Sequence, residues 1–253
     1  MPNSAALADP LKRIRAGALA LWAAAFLLAG CASDAPTAHG QVQGAQYAKG
    51  EWLQSDGNRI TQIALRANEA SLLLLADKLY RRNPREWRKT AATREAALEQ
   101  VAAAVRESKP WPGLNGQRDV AALSLALSPD FGGDRVAAFI IACADTMVTA
   151  HGGKHDFYYL DGIDPQHVYN AARDMEIAQW LLATRRDAQG QPLLLANEIG
   201  PHERNLSFER EFGKITARLD LLAVYMDERY RRAGIDYVQG LLMAPVLAFW
   251  PVK

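Results

Sequence analysis

Val136-Ala137-Ala138-Phe139-Ile140-Ile141-Ala142-Cys143-Ala144 carries no polar side chain apart from one thiol. A helix that is apolar on every side has to be buried on every side, so this stretch predicts the central helix of a bundle. The turn Ser128-Pro129-Asp130-Phe131-Gly132-Gly133 precedes it, and upstream of the turn a short helix runs from about Asp119 to Leu127. On the other side, Asp164-Pro165 joins a capping side chain to a proline suited to a first helical turn. It opens a helix carrying Val168, Ala171, Ala172, Met175, Ala178, Leu181 and Leu182, closed by Gly190 and Pro192.

Further out, a first helix starts near Asp56-Gly57-Asn58 and places Ile60, Ile63, Ala64, Ala67, Ser71, the Leu72 to Leu75 run and Leu79 on its apolar face. Asn83-Pro84 ends it. A second runs from Arg85 to about Glu107 through Ala92, Ala96, Leu98, Val101 and Val105, and stops at Pro110 and Pro112. The last runs from about Ser207 to Arg232 with Phe208, Phe212, Ile215, Leu219, Leu222 and Met226 at helical spacing, and Gly234 is placed to terminate it. Leu193-Leu194-Leu195, the one strand-like run, has no alternating partner nearby, and no segment recurs at a fixed period. The expected fold is all-α, an antiparallel bundle of about six to seven helices in a single domain over 51–253.

The start of the chain has a different character. Lys12, Arg13 and Arg15 precede an apolar core from Ala16 to Leu28, and the small residues Ala29 and Gly30 lead to Cys31. That is the order of a secretory signal, and a core of about a dozen residues is shorter than the ~20 a spanning helix needs. The box Leu28-Ala29-Gly30-Cys31 resembles that of bacterial lipoproteins. The resemblance implies that residues 1–30 are a signal peptide, that the Cys31 thiol receives a diacylglyceryl group, and that cleavage makes Cys31 the first mature residue. More than one acyl chain holds a protein stably on a bilayer, so the expected partner is the lipid bilayer, reached through acylated Cys31. Ala32, rather than aspartate, follows the cysteine. In a Gram-negative cell this implies an extracytoplasmic, membrane-anchored location on the outer membrane facing the periplasm. Residues 31–50, without an apolar face, form a flexible tether.

Lys12, Arg13, Arg15 and Asp9 leave with the signal, so basic residues fall from 29 to 26 and acidic from 28 to 27. Balanced charge supplies no footprint for nucleic acid. With Cys31 acylated, Cys143 has no partner for an internal disulfide and reads as a small buried apolar residue. The nucleophile elbow Gly-x-Ser-x-Gly, the phosphate loop and the dinucleotide fingerprint are all missing from the sequence, so no cofactor is expected.

Several residues remain as site candidates. Asp145 interrupts the central helix, and a buried carboxylate has to be paired, hydrogen-bonded or protonated. The densest polar stretch follows, His151-Gly152-Gly153-Lys154-His155-Asp156 to His167. There His151, His155, Asp161 and His167 are the groups able to ligate a metal. Their spacing fits no zinc signature, and a glycine-capped helix end accounts for the same residues, so no tight metal site is expected. Arg81, Arg82, Arg85, Trp87 and Arg88 form a candidate surface for lipid phosphates or acidic glycans. Arg81-Arg82, Arg185-Arg186 and Arg229 with Arg231-Arg232 each fall in an expected last helical turn, where positive charge contributes ~0.3–1 kcal/mol. Glu198 and Glu203 could serve as paired carboxylates of the kind that cleave glycans. The apolar end, Leu241 to Val252, is expected to pack across the bundle.

The functional expectation is an envelope lipoprotein with a helical binding or assembly domain and an envelope protein as candidate partner. The alternative is an envelope hydrolase acting on cell-wall or glycan material, with its site in the loop from His151 to His167. Convergence of that loop's side chains in a deep pocket favours the enzyme, and scattered exposure favours the interaction domain.

Overall fold

The apolar stretch is a helix, and it lies at the centre. A computed structural model describes residues 50–200 and 204–248. It contains α1 (Asp56–Arg82), α2 (Pro84–Trp87), α3 (Arg94–Arg106), α4 (Asp119–Ala126), α5 (Arg135–Ala150), α6 (Pro165–Thr184) and α7 (Ser207–Ala248). Two short strands, β1 (Glu198–Ile199) and β2 (Arg204–Asn205), pair antiparallel with Glu198 opposite Asn205. Leu28, Ala29, Gly30 and Cys31, together with Glu203, lie outside the described residues.

Helix α5 packs against α1, α3, α4 and α6. Its Phe139 ring also meets Phe212 of α7, with centroids 6.2 Å apart, and every side chain from Val136 to Ala144 is buried. The start of α5 is over-determined. Asp134 caps it by accepting from the Ala137 N–H and also accepts from the hydroxyls of Tyr80 (2.8 Å) and Thr90 (3.0 Å). Beside it, the buried Arg135 guanidinium donates to the carbonyls of Ala126, Ser128 and Pro129, while its backbone N–H donates to Glu86. A turn built this way holds the apolar helix in place, its buried polar groups each hydrogen-bonded. Helix α6 begins as its sequence implies, with Asp164 accepting from the Gln166 N–H and Pro165 in the first turn.

Elsewhere the periodic pattern lost to tertiary partners. The expected helix from Arg85 to Glu107 is two helices. Thr93 leaves helical geometry to accept the Ala96 N–H as the cap of α3, and the intervening loop is tied down by Lys89 to the Gly133 carbonyl and by Thr90 to Asp134. In the first half of α1, Ile60 and Ile63 face solvent, and the buried face is Asn58, Thr61, Gln62, Leu65 and Asn68. That polar face is matched from α7: Arg218 donates to Asn68 and Ser71, and Arg229 to Ser55 and Asn58. Paired hydrogen bonds let a polar face be buried where an apolar one would otherwise be required.

Gly234 does not end the last helix. A glycine stops a helix by adopting positive φ, and Gly234 is not among the positive-φ glycines, so α7 continues to Ala248. Among the described side chains, Tyr230, which exchanges hydrogen bonds with the Ile163 backbone, is the last one anchored to another element. From Arg231 to Leu242 every side chain is exposed, so Leu241 and Leu242 do not pack across the bundle as expected. Arg229, Arg231 and Arg232 are therefore mid-helix, and the dipole account fails for them. Arg81 and Arg82 do lie in a last turn, whereas Arg185 and Arg186 lie just past one. Among the described residues no helix is long and apolar enough to cross a membrane.

Candidate functional site

The loop after α5 scatters the four candidate ligands. His151 is buried, its Nδ1 lying 2.7 Å from the Met147 carbonyl and its ring against Phe157. A carbonyl only accepts, so Nδ1 carries the proton, and burial lowers the pKa of the ring below its ordinary value. Asp161 closes its own turn by accepting from the Tyr158 N–H and pairs with Lys154, which holds its pKa low. His167 is exposed on α6, 4.0 Å from Asp164. Among the described residues no three histidine, cysteine or carboxylate side chains are grouped to hold a metal ion.

His155 turns the other way and brings two distant residues together. Its Nδ1 lies 2.9 Å from Glu69 Oε1 on α1, and its Nε2 lies 2.7 Å from the Ser108 hydroxyl at the end of α3. An ionised carboxylate is acceptor-only, so Nδ1–H donates to Glu69, and in the neutral imidazole Nε2 is left to accept from Ser108. Sequence reading found His155 alone, because Glu69 and Ser108 stand 86 and 47 positions away from it.

Ser108 has an unusual backbone. The chain leaves α3 with the Ser108 N–H on the Val105 carbonyl and the Lys109 N–H on the Ala104 carbonyl. This double closure needs a left-handed residue between the two bonds, normally glycine. Here it is serine, at φ 48°. Among the described residues the other non-glycine residues with positive φ are Asn115 (50°) and Asp119 (52°), so all three fall within one short segment, 108–119. Such residues cost of order 1–3 kcal/mol each, and they persist where the surroundings impose them.

That segment forms one wall of a cleft of about 330 Å³. Val105, Trp111, Leu114, Ile141 and Val148 make its apolar lining, and Ser108, Lys109, Gln117 and Arg118 add polar groups to its wall. Compared with protein-family models, with curated proteins and with solved structures, the chain matches none. The chemistry of the cleft rests on its own atoms. Asp145 belongs here, and it is not the buried carboxylate its position in α5 suggested: its side chain is 29% exposed and takes both forks of Arg118, at 2.9 and 2.6 Å. The pairing orients Arg118, which also reaches the Thr149 hydroxyl, and raises the guanidinium pKa further. The α5 residues Ile141, Asp145 and Val148 recur at helical spacing on the face that borders the cleft.

The basic surface at the α1 end is largely paired. Arg81 binds Asp77 and Arg82 binds Glu198, at 2.8 and 2.7 Å, and Arg88 sits 5.1 Å over the Trp87 ring. Arg85 is exposed beside them. The Glu198 to Arg82 pair makes Glu198 a structural partner in this arrangement. The one signal for the cleft in the sequence is the serine just before Lys109-Pro110, at a helix end where glycine is the ordinary residue.

Proposed function

We infer that this chain is a lipid-anchored envelope protein whose helical domain binds a partly apolar ligand in the cleft between the 108–118 segment and α5. The cleft carries the reading. About 330 Å³ falls in the range of small-molecule sites, and apolar walls with a few oriented polar groups suit an amphiphile with its chain inside and its polar end near Arg118 and Lys109. The anchor reading rests on Leu28-Ala29-Gly30-Cys31.

Two measurements test the two halves. Mass spectrometry of the membrane fraction is expected to find acylated Cys31 as the N-terminus, and Cys31→Ser to abolish processing; an unlipidated N-terminus elsewhere defeats the anchor. Calorimetry with decanoate is expected to show binding that is lost in Ala144→Phe, which fills the cleft from α5. Equal binding by Ala144→Phe, or none by the wild type, defeats the cleft.

A further inference from the structure

We propose that Ser108, His155 and Glu69 form a nucleophile, base and positioning carboxylate that cleave carboxylic esters whose apolar acyl group occupies the cleft. The proposal rests on the cleft reading above for its substrate class, while the relay stands on its own distances. Ser108 lines the cleft, and its exposed hydroxyl has one hydrogen bond among the described residues, to His155 Nε2 at 2.7 Å. Glu69, whose side chain is 15% exposed, accepts a hydrogen bond from Nδ1–H at 2.9 Å and so fixes the tautomer in which Nε2 can act as a base. A serine hydroxyl, an imidazole and a carboxylate joined in this order form the arrangement that activates a serine for acyl transfer, and it recurs on unrelated folds.

The step balances without a cofactor. Ser108 Oγ bonds to the ester carbonyl carbon as His155 Nε2 takes its proton, and that proton then goes to the departing alkoxide, which leaves as the alcohol. Water, deprotonated by His155, attacks the acyl-serine; the acid leaves and Ser108 regains a proton from His155. The backbone N–H groups of Ser108 and Lys109 are committed to carbonyls of α3, so the negative charge on the carbonyl oxygen falls to side-chain donors on the cleft wall. Gln117 and Arg118 line the cleft and are assigned that part, Arg118 held in place by Asp145, while Lys109 pairs with Glu107 at 2.6 Å. Apolar walls select an acyl chain, and the solvent-facing position of Ser108 leaves the alcohol portion outside.

The processed full-length protein is treated with a fluorophosphonate probe and assayed on p-nitrophenyl butyrate. One adduct on Ser108 is expected, lost in Ser108→Gly and His155→Ala, with hydrolysis reduced at least 100-fold in both. Ser108→Gly keeps the fold, because glycine suits φ 48° better than serine does, and its circular dichroism and melting temperature check this. Glu69→Gln is expected to slow hydrolysis about 10- to 100-fold and to move the rising limb of the pH–rate profile, which a merely structural contact does not do. No adduct at Ser108, or unchanged hydrolysis in Ser108→Gly, overturns the relay. If decanoate still binds in that case, the cleft reading survives it. A labelled Ser108 without decanoate binding keeps the relay and removes the cleft as its acyl site.

Discussion

Replacing Asp134 with alanine tests the account of why α5 begins where it does. The carboxylate caps α5 through the Ala137 N–H and accepts from Tyr80 and Thr90. Losing an N-cap of this kind costs about 1 kcal/mol. The Tyr80 side chain is fully buried, so its hydroxyl loses its acceptor without gaining water, at ~1–3 kcal/mol. Thr90 is exposed and recovers its bond from solvent. Burial already disfavours the charged form of Asp134 and raises its pKa, which offsets part of the loss. The net expectation is about 3 kcal/mol, or roughly 6–12 °C in melting temperature for a domain of this size. Urea unfolding followed at 222 nm measures it. Asp134→Asn, which still caps, is expected to lose less than half as much. Tyr80→Phe removes the orphaned hydroxyl, so the double variant Asp134→Ala/Tyr80→Phe should fall short of the sum of the two single losses. A cost below about 1 kcal/mol for Asp134→Ala, or strict additivity, refutes the capping account.

Two further outcomes follow from the same contacts. Burial lowers the His151 pKa below its ordinary 6.5, so as the pH falls below that value the unfolded chain takes up a proton that the folded chain refuses. Stability therefore declines on acidification from about pH 6.5 downward, and His151→Leu should flatten that limb of a denaturation-midpoint series; an unchanged acid limb refutes it. Ending the chain at Ala233 removes residues whose described side chains are exposed, so the melting temperature should stay within about 2 °C of the full chain. A larger fall would mean that the projecting end of α7 is held against the body.

Composition and periodicity made the bundle legible because each helix has to bury an apolar face, and that requirement repeats every three to four residues along the chain. The stretch Val136 to Ala144 carried the most information, since an all-round apolar helix has one place to go. The Asp164-Pro165 cap was readable from its neighbours, whereas the Thr93 cap was missed although it also acts within three residues, because the break before it depends on a loop pinned to Gly133 and Asp134. Ile60 and Ile63 misled because the polar face of α1 finds part of its partners in Arg218 and Arg229, more than 140 positions away.

The candidate site shows the same division. His155 could be singled out from its polar neighbourhood, yet nothing local says that it turns toward Ser108 and Glu69 and that His151 turns inward to Met147. The sequence by itself determined the helical class, the central helix and the polar loop, because each of these is written in neighbouring residues. Only the tertiary structure decided where α3 begins, how far α7 projects, which carboxylate holds Arg118 and which three side chains meet beside the cleft. Those outcomes depend on partners far apart in the chain, and hydrogen bonds between distant side chains leave no period to read.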